Sequence, residues 1–117
     1  MKTVILAILV CGTAAIAVSS CKKDQAANPS SIVDCSKITF SGDIMPIIQN
    51  SCNTTGCHNA GGSAPMSLTN YNDIKIYVDN GKIADRVLVK GDMPPGGLPD
   101  DQKKKIKCWI DNGAPNN

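Results

Sequence analysis

Two thiols and an imidazole stand close together in Cys52-Asn53-Thr54-Thr55-Gly56-Cys57-His58, which holds the only histidine and two of the six cysteines of the chain. A Cys-His pair with a second cysteine shortly upstream is the core of a covalent haem site, whose usual spacing is C-x-x-C-H. Here the spacing is lengthened by two residues to C-x-x-x-x-C-H. The residue types suit the chemistry. Two thiols add to the two vinyl groups on one edge of the porphyrin, and the imidazole beside the second thiol reaches the iron from one face. The intervening turn must let both sulfurs face the same edge. Asn53, Thr54, Thr55 and Gly56 are turn formers, and Gly56 is free to take positive φ. The same residues also allow a simple Cys52–Cys57 disulfide with an incidental His58.

The elements around this stretch must place it. The chain opens with Lys2 and an apolar run from Val4 to Val18. That run is too short to span a bilayer stably, and a basic start before a short apolar core reads as a secretory signal. Val18-Ser19-Ser20-Cys21 closes it. This resembles a bacterial lipobox, in which cleavage precedes the cysteine and the cysteine is acylated. An ordinary signal peptide cut nearby, or an uncleaved anchor, is the alternative. Residues 1–20 are thus expected to be a lipoprotein signal peptide, Cys21 the lipidated residue, and 21–34 a flexible tether, with almost no large apolar residue from Lys22 to Ser31. Two or more acyl chains anchor stably. The expected location is therefore extracytoplasmic, lipid-anchored to a bacterial membrane.

The remaining residues suffice for one small domain with a modest core, of a size that often needs a staple. Aromatic residues are few, and acidic residues are ten Asp with no Glu against twelve Lys and Arg. One arginine and no aromatic–basic interleaving leave no nucleic-acid footprint. Cysteine use follows from these assignments: Cys11 leaves with the signal, Cys21 carries lipid, and Cys52 and Cys57 take the haem. Cys35 and Cys108 remain, and in an oxidising compartment they most simply pair as a disulfide. Two free buried thiols are the alternative.

Ser36 to Phe40 alternates in polarity and is predicted to be extended. Asp43 is the expected N-cap of a first helix, with Pro46 in its first turn and Ile44, Ile47 and Ile48 as its buried stripe. This helix runs into Cys52. After a Gly-rich loop, Thr69 is expected to cap a second helix with Tyr71, Ile74 and Val78 on one face, stopped by Asn80-Gly81. Ile83 to Val89 reads as a short helix or a strand, with the four-residue spacing of Ile83 and Val87 favouring helix. Gly91-Asp92-Met93-Pro94-Pro95-Gly96-Gly97 is a loop whose prolines fix the direction of Met93. A last helix is predicted over Asp100–Asn112, with Ile106, Trp109 and Ile110 inward and Gly113 as its stop.

Four stretches now carry a family resemblance: Ile44-Met45-Pro46-Ile47-Ile48, Cys52 to His58, Gly91-Asp92-Met93-Pro94-Pro95, and Cys108-Trp109-Ile110-Asp111-Asn112-Gly113-Ala114-Pro115. Over residues 35–117 the chain resembles class I c-type cytochromes, specifically small monohaem domains of bacterial lipoproteins. The C-x-x-x-x-C-H spacing departs from the commonest motif of that family. The resemblance implies an all-α, cytochrome c-like helical domain around one covalent haem c, with its first and last helices crossing beside it. It implies His58 as proximal and Met93 as distal ligand of the iron. Met66, in Ala64-Pro65-Met66-Ser67-Leu68, is the rival distal ligand, and Met45 is expected to be packed. His58 and Met93 should share one cavity lined by Ile47, Ile48, Val87 and Trp109.

With both axial positions filled, the expected function is electron transfer by a membrane-tethered monomer, with redox proteins as partners and no enzymatic activity. Lys103, Lys104, Lys105 and Lys107 read either as a dock for an acidic partner or as a solvated helix face. Two other classes stay open. One is a haem sensor or enzyme domain with a labile distal ligand. The other is a non-haem lipoprotein stapled by its disulfide.

Overall fold

The computed structural model describes residues 32–117. The signal segment, Cys11, Cys21 and the tether up to residue 31 lie outside the described residues. Among the described residues the fold is all-α, with no strand.

Cys35–Lys37 form a 3₁₀ turn, so the predicted extended run over 36–40 is limited to Ile38 and Thr39, both in β-region backbone. Asp34 caps that turn by accepting from Ser36 N–H at 3.1 Å. Thr39, and not Asp43, caps the helix that follows: its hydroxyl accepts from Gly42 N–H at 3.2 Å. Asp43 reaches back instead, accepting from Thr39 N–H at 3.1 Å, so the two residues satisfy each other's free donors in the manner of a capping box. The helix therefore starts earlier than expected, with one wide π-type turn over Phe40–Ile44 leading into α1 (Met45–Ser51), where Pro46 sits in the first turn. Ile44, Ile47 and Ile48 are its buried stripe.

α2 spans Tyr71–Asp79 and is capped by Asn70, not Thr69. The Asn70 side-chain oxygen accepts from Asp73 N–H at 3.1 Å, while the Thr69 hydroxyl lies 3.3 Å from the Asp73 carboxylate. Asn takes the cap because its backbone is extended there (φ −147°, ψ 169°) and its amide reaches both the N–H and the carboxylate of Asp73. Ile83 to Val89 is helical, with a π-type stretch over Ala84–Val89. α3 spans Asp100–Asp111 and buries Ile106, Cys108 and Trp109. It ends in a Schellman motif at Gly113: Ala114 N–H donates to Trp109 C=O at 2.8 Å and Gly113 N–H to Ile110 C=O at 2.9 Å.

α3 packs on the Phe40–Ile44 turn, on Cys35–Lys37 and on Ala84–Val89. The core centres on Phe40, whose ring meets Tyr71 edge-on at 5.1 Å and Trp109 at 5.5 Å. Residues 114–117 then tie three elements together. Tyr71 OH donates to Ala114 C=O and Trp109 Nε1–H to Pro115 C=O, each at 2.9 Å. Asn117 accepts from the backbone N–H groups of Phe40 and Ser41, at 2.8 and 2.9 Å. Cys35 and Cys108 are joined as a disulfide, Cα atoms 5.0 Å apart and 73 residues apart in sequence. It fixes the start of the domain to the buried face of α3.

Candidate haem-binding site

The Cys52–His58 stretch starts where α1 ends. Cys52 N–H still donates to Ile48 C=O at 2.8 Å, so the first cysteine is held by the helix itself. The longer turn closes through two backbone bonds, Cys57 N–H to Thr54 C=O at 2.9 Å and His58 N–H to Cys52 C=O at 3.1 Å. Gly56 takes φ +83°, the left-handed conformation that glycine enters without steric cost. Cys52 and Cys57 are both unbonded thiols, so the simple disulfide between them is not formed. Burial, and then the neighbouring Cys57 thiol, push Cys52 up to about 11. At neutral pH it stays a protonated thiol, which slows any exchange with a disulfide.

His58 is half-buried, and its Nδ1 lies 2.9 Å from the backbone carbonyl of Met66. A carbonyl only accepts, so Nδ1 carries a proton in this contact, and in the neutral ring Nε2 is then the nitrogen with the lone pair. Histidine ligands are oriented by such a bond on the ring nitrogen away from the metal.

A cavity of about 460 Å³ opens beside these groups. Cys52, Cys57, His58 and Met93 all line it, so the structure brings together four of the residues singled out from the sequence. Ile48 and Val87 form part of its apolar wall, as expected. Ile47 and Trp109 do not line it. Trp109 is instead turned into the Phe40 cluster, with its indole N–H committed to Pro115, and Ile47 borders a separate small cleft with Asp43 and Lys105. Met66 contributes its carbonyl to His58 and is not among the lining residues. Met45 packs against the core, as expected.

Met93 is held from one residue. Arg86 C=O accepts from the N–H groups of both Asp92 and Met93, at 3.1 and 3.3 Å, and Arg86 Nε donates to Asp92 Oδ1 at 2.7 Å. The Asp92 carboxylate raises the Arg86 pKa further, so the guanidinium is always charged. Arg86 also lines the cavity, one helical turn after Lys82, which does the same. Sequence reasoning missed these two cations and Tyr77. The signal was present: Lys82 and Arg86 are four apart and directly precede Ile83 and Val87, so a helix that buries the second pair brings the first to the same edge.

Of the lysines on α3, Lys103, Lys105 and Lys107 face acidic partners at Asp100, Asp43 and Asp111. Among the described residues no three His, Cys, Asp or Glu side chains cluster as a metal site, and no helix is long and apolar enough to cross a membrane. Comparison with protein-family models, curated proteins and solved structures finds no match to this chain.

Proposed function

We propose that the chain holds one haem covalently through Cys52 and Cys57, with His58 and Met93 as axial ligands, and carries single electrons at an extracytoplasmic membrane surface. The observation that carries this reading is the His58 ring. Its Nδ1 is engaged by Met66 C=O, and the residue lines an apolar cavity that two unbonded cysteines and a methionine also line.

The residues fit the group. The cavity lies within the range of about 300–1,000 Å³ typical of small-molecule and cofactor sites. Its wall is mainly apolar, from Ile48, Leu68, Ile83, Val87 and Ile106, as a porphyrin face needs. Lys82 and Arg86 bring two cations to it, which suits an apolar ligand with a carboxylate edge. Haem, when bound, supplies an Fe(II)/Fe(III) couple that exchanges one electron.

The protein's part is to bind, orient and insulate. Cys52 and Cys57 each bring a thiol-bearing residue to the cavity that His58 also lines. His58 and Met93 would both hold the iron, and an iron so held would exchange electrons rather than take a substrate, which favours a carrier over an enzyme or a sensor. Thioether ligation and burial raise the reduction potential. Cys21 would tether the domain to the membrane by its acyl chains. The partners of such a domain are other redox proteins, met as a monomer.

The covalent part of the reading is tested by intact mass under denaturing conditions, on protein secreted by cells with haem-attachment machinery. The expected mass is polypeptide plus one haem, falling to bare polypeptide in the Cys52→Ala, Cys57→Ala double variant. Bare polypeptide in the unaltered protein rejects the reading.

A further inference from the structure

We propose that Gly62 and Ser63 are positioning residues that clamp the attachment turn from outside and hold Cys57 and His58 in place. The inference rests on the haem reading for its consequence, and the clamp itself is testable without haem.

The segment after His58 folds back over the residues that precede it. Ser63 Oγ donates to Gly56 C=O at 2.7 Å. Leu68 N–H donates to His58 C=O at 2.7 Å, and Met66 C=O accepts from His58 Nδ1. Between these ties, Gly62 lies against the backbone of Cys57. A Cβ on Gly62 would stand 1.9 Å from the Cys57 carbonyl oxygen, 2.9 Å from its carbon and 2.4 Å from Asn59 Oδ1. Gly56, Cys57 and His58 are therefore each held in turn by one return segment.

Gly62 differs in kind from its neighbours. Gly56 and Gly61 carry φ of +83° and +84° and have open space where a Cβ would stand, so backbone conformation is what selects glycine there. At Gly62 the requirement is space. Real Cβ contacts stay beyond 3.0 Å, so a methyl group would drive the Cys57 carbonyl or the return segment away by roughly 1 Å. Functional constellations tolerate about 0.5 Å.

The clamp also answers a problem set by the sequence. A turn with two more residues than C-x-x-C-H has more conformations to lose before both thiols and the imidazole face one ligand. Its two internal backbone bonds leave the Gly56 and His58 carbonyls unpaired within the turn, and the return segment takes up both.

The experiment is nitrogen-detected NMR of the haem-free protein, in which His58 gives the only histidine ring signals. The unaltered protein should show one tautomer, with the proton on Nδ1. Gly62→Ala should lose that signature and give a mixture of tautomers, with the far-ultraviolet helical spectrum and the Cys35–Cys108 disulfide retained. Ala60→Ser, at an exposed position of the same loop, should change nothing. In protein exposed to haem-attachment machinery, Gly62→Ala should lower the haem-carrying fraction at least tenfold by intact mass. An unchanged tautomer and an unchanged haem-carrying fraction in Gly62→Ala overturn the proposal. If Gly62→Ala does not fold, Ser63→Ala decides: it removes one hydroxyl and adds no bulk, so a partial shift of the tautomer supports the clamp and none overturns it. A tautomer shift in Gly62→Ala with no haem on the unaltered protein would uphold the clamp and reject the haem reading.

Discussion

His58 and Met66 face each other across a loop, with the imidazole Nδ1 2.9 Å from the Met66 carbonyl oxygen. Met66 thus acts on the histidine through its backbone, and a change of its side chain leaves that contact possible. Met66→Ala is expected to keep the low-spin visible spectrum and the reduction potential of the haem-loaded protein. Met93→Ala should instead open a coordination position, lower the potential and let added imidazole bind, because a soft thioether favours Fe(II). Optical titration with imidazole and redox potentiometry on both variants check this. The reverse pattern would make Met66 the ligand.

The Cys35–Cys108 bridge closes a loop of 73 residues. Chain-entropy reasoning gives it about 4 kcal/mol of stabilisation, and removal of native disulfides from small secreted domains costs about 2–5 kcal/mol. The Cys35→Ala, Cys108→Ala double variant should lower the urea unfolding free energy by that amount. A loss below about 1 kcal/mol would mean that the C-terminal tail and the Phe40 cluster suffice without it.

Asp43 accepts from Thr39 N–H and from Lys105 Nζ, the latter at 2.8 Å. The bond from Lys105, then that from Thr39, hold its carboxyl below the usual carboxylate range. A lowered folded-state pKa contributes stability that is complete above the unfolded value of about 4 and is lost as pH falls through the folded value. Asp43→Asn should therefore cost about 1–2 kcal/mol at pH 7, from the helix-start bond and the partly buried ion pair. The gap between variant and unaltered protein should close below about pH 4. A constant gap across that range would show that the carboxylate charge contributes nothing.

Much of this was legible in the sequence, and the failures have identifiable causes. Ile44, Ile47 and Ile48, or Ile106 and Trp109, repeat at helical spacing, and burial enforces that spacing whatever the ends of the helix do. The caps were less legible, because Thr39, Asp43, Thr69 and Asn70 are all capable of capping and only the backbone angle at each decides among them. Trp109 was expected at the cavity and is found in the Phe40 cluster, since its N–H needs a buried acceptor and Pro115, six residues on, supplies one. The ties made by residues 114–117 gave no periodic signal at all. At the site, Cys52, Cys57, His58 and Met93 could be picked out by type and spacing. Lys82 and Arg86 were overlooked, because a charged pair on a short helix is usually a solvated one and only its register with Ile83 and Val87 marked it.

The anchor is tested separately from the haem. Cys21 follows Ser20 in a lipobox-like context, so Cys21→Ala should abolish incorporation of labelled fatty acid and leave the precursor uncleaved by the lipoprotein pathway. Equal labelling of the variant would place the acyl group elsewhere or remove it from the account.

The most direct measurement is the visible spectrum of the purified protein, made with haem-attachment machinery and recorded in both oxidation states. Axial ligation by His58 and Met93 predicts sharp low-spin bands of a c-type haem in the reduced protein and low-spin bands in the oxidised one. High-spin bands in either state would mean an open coordination position and a sensor or enzyme in place of a carrier. A spectrum with no haem absorption would contradict the account at its root, leaving a disulfide-stapled helical domain with an empty apolar cavity.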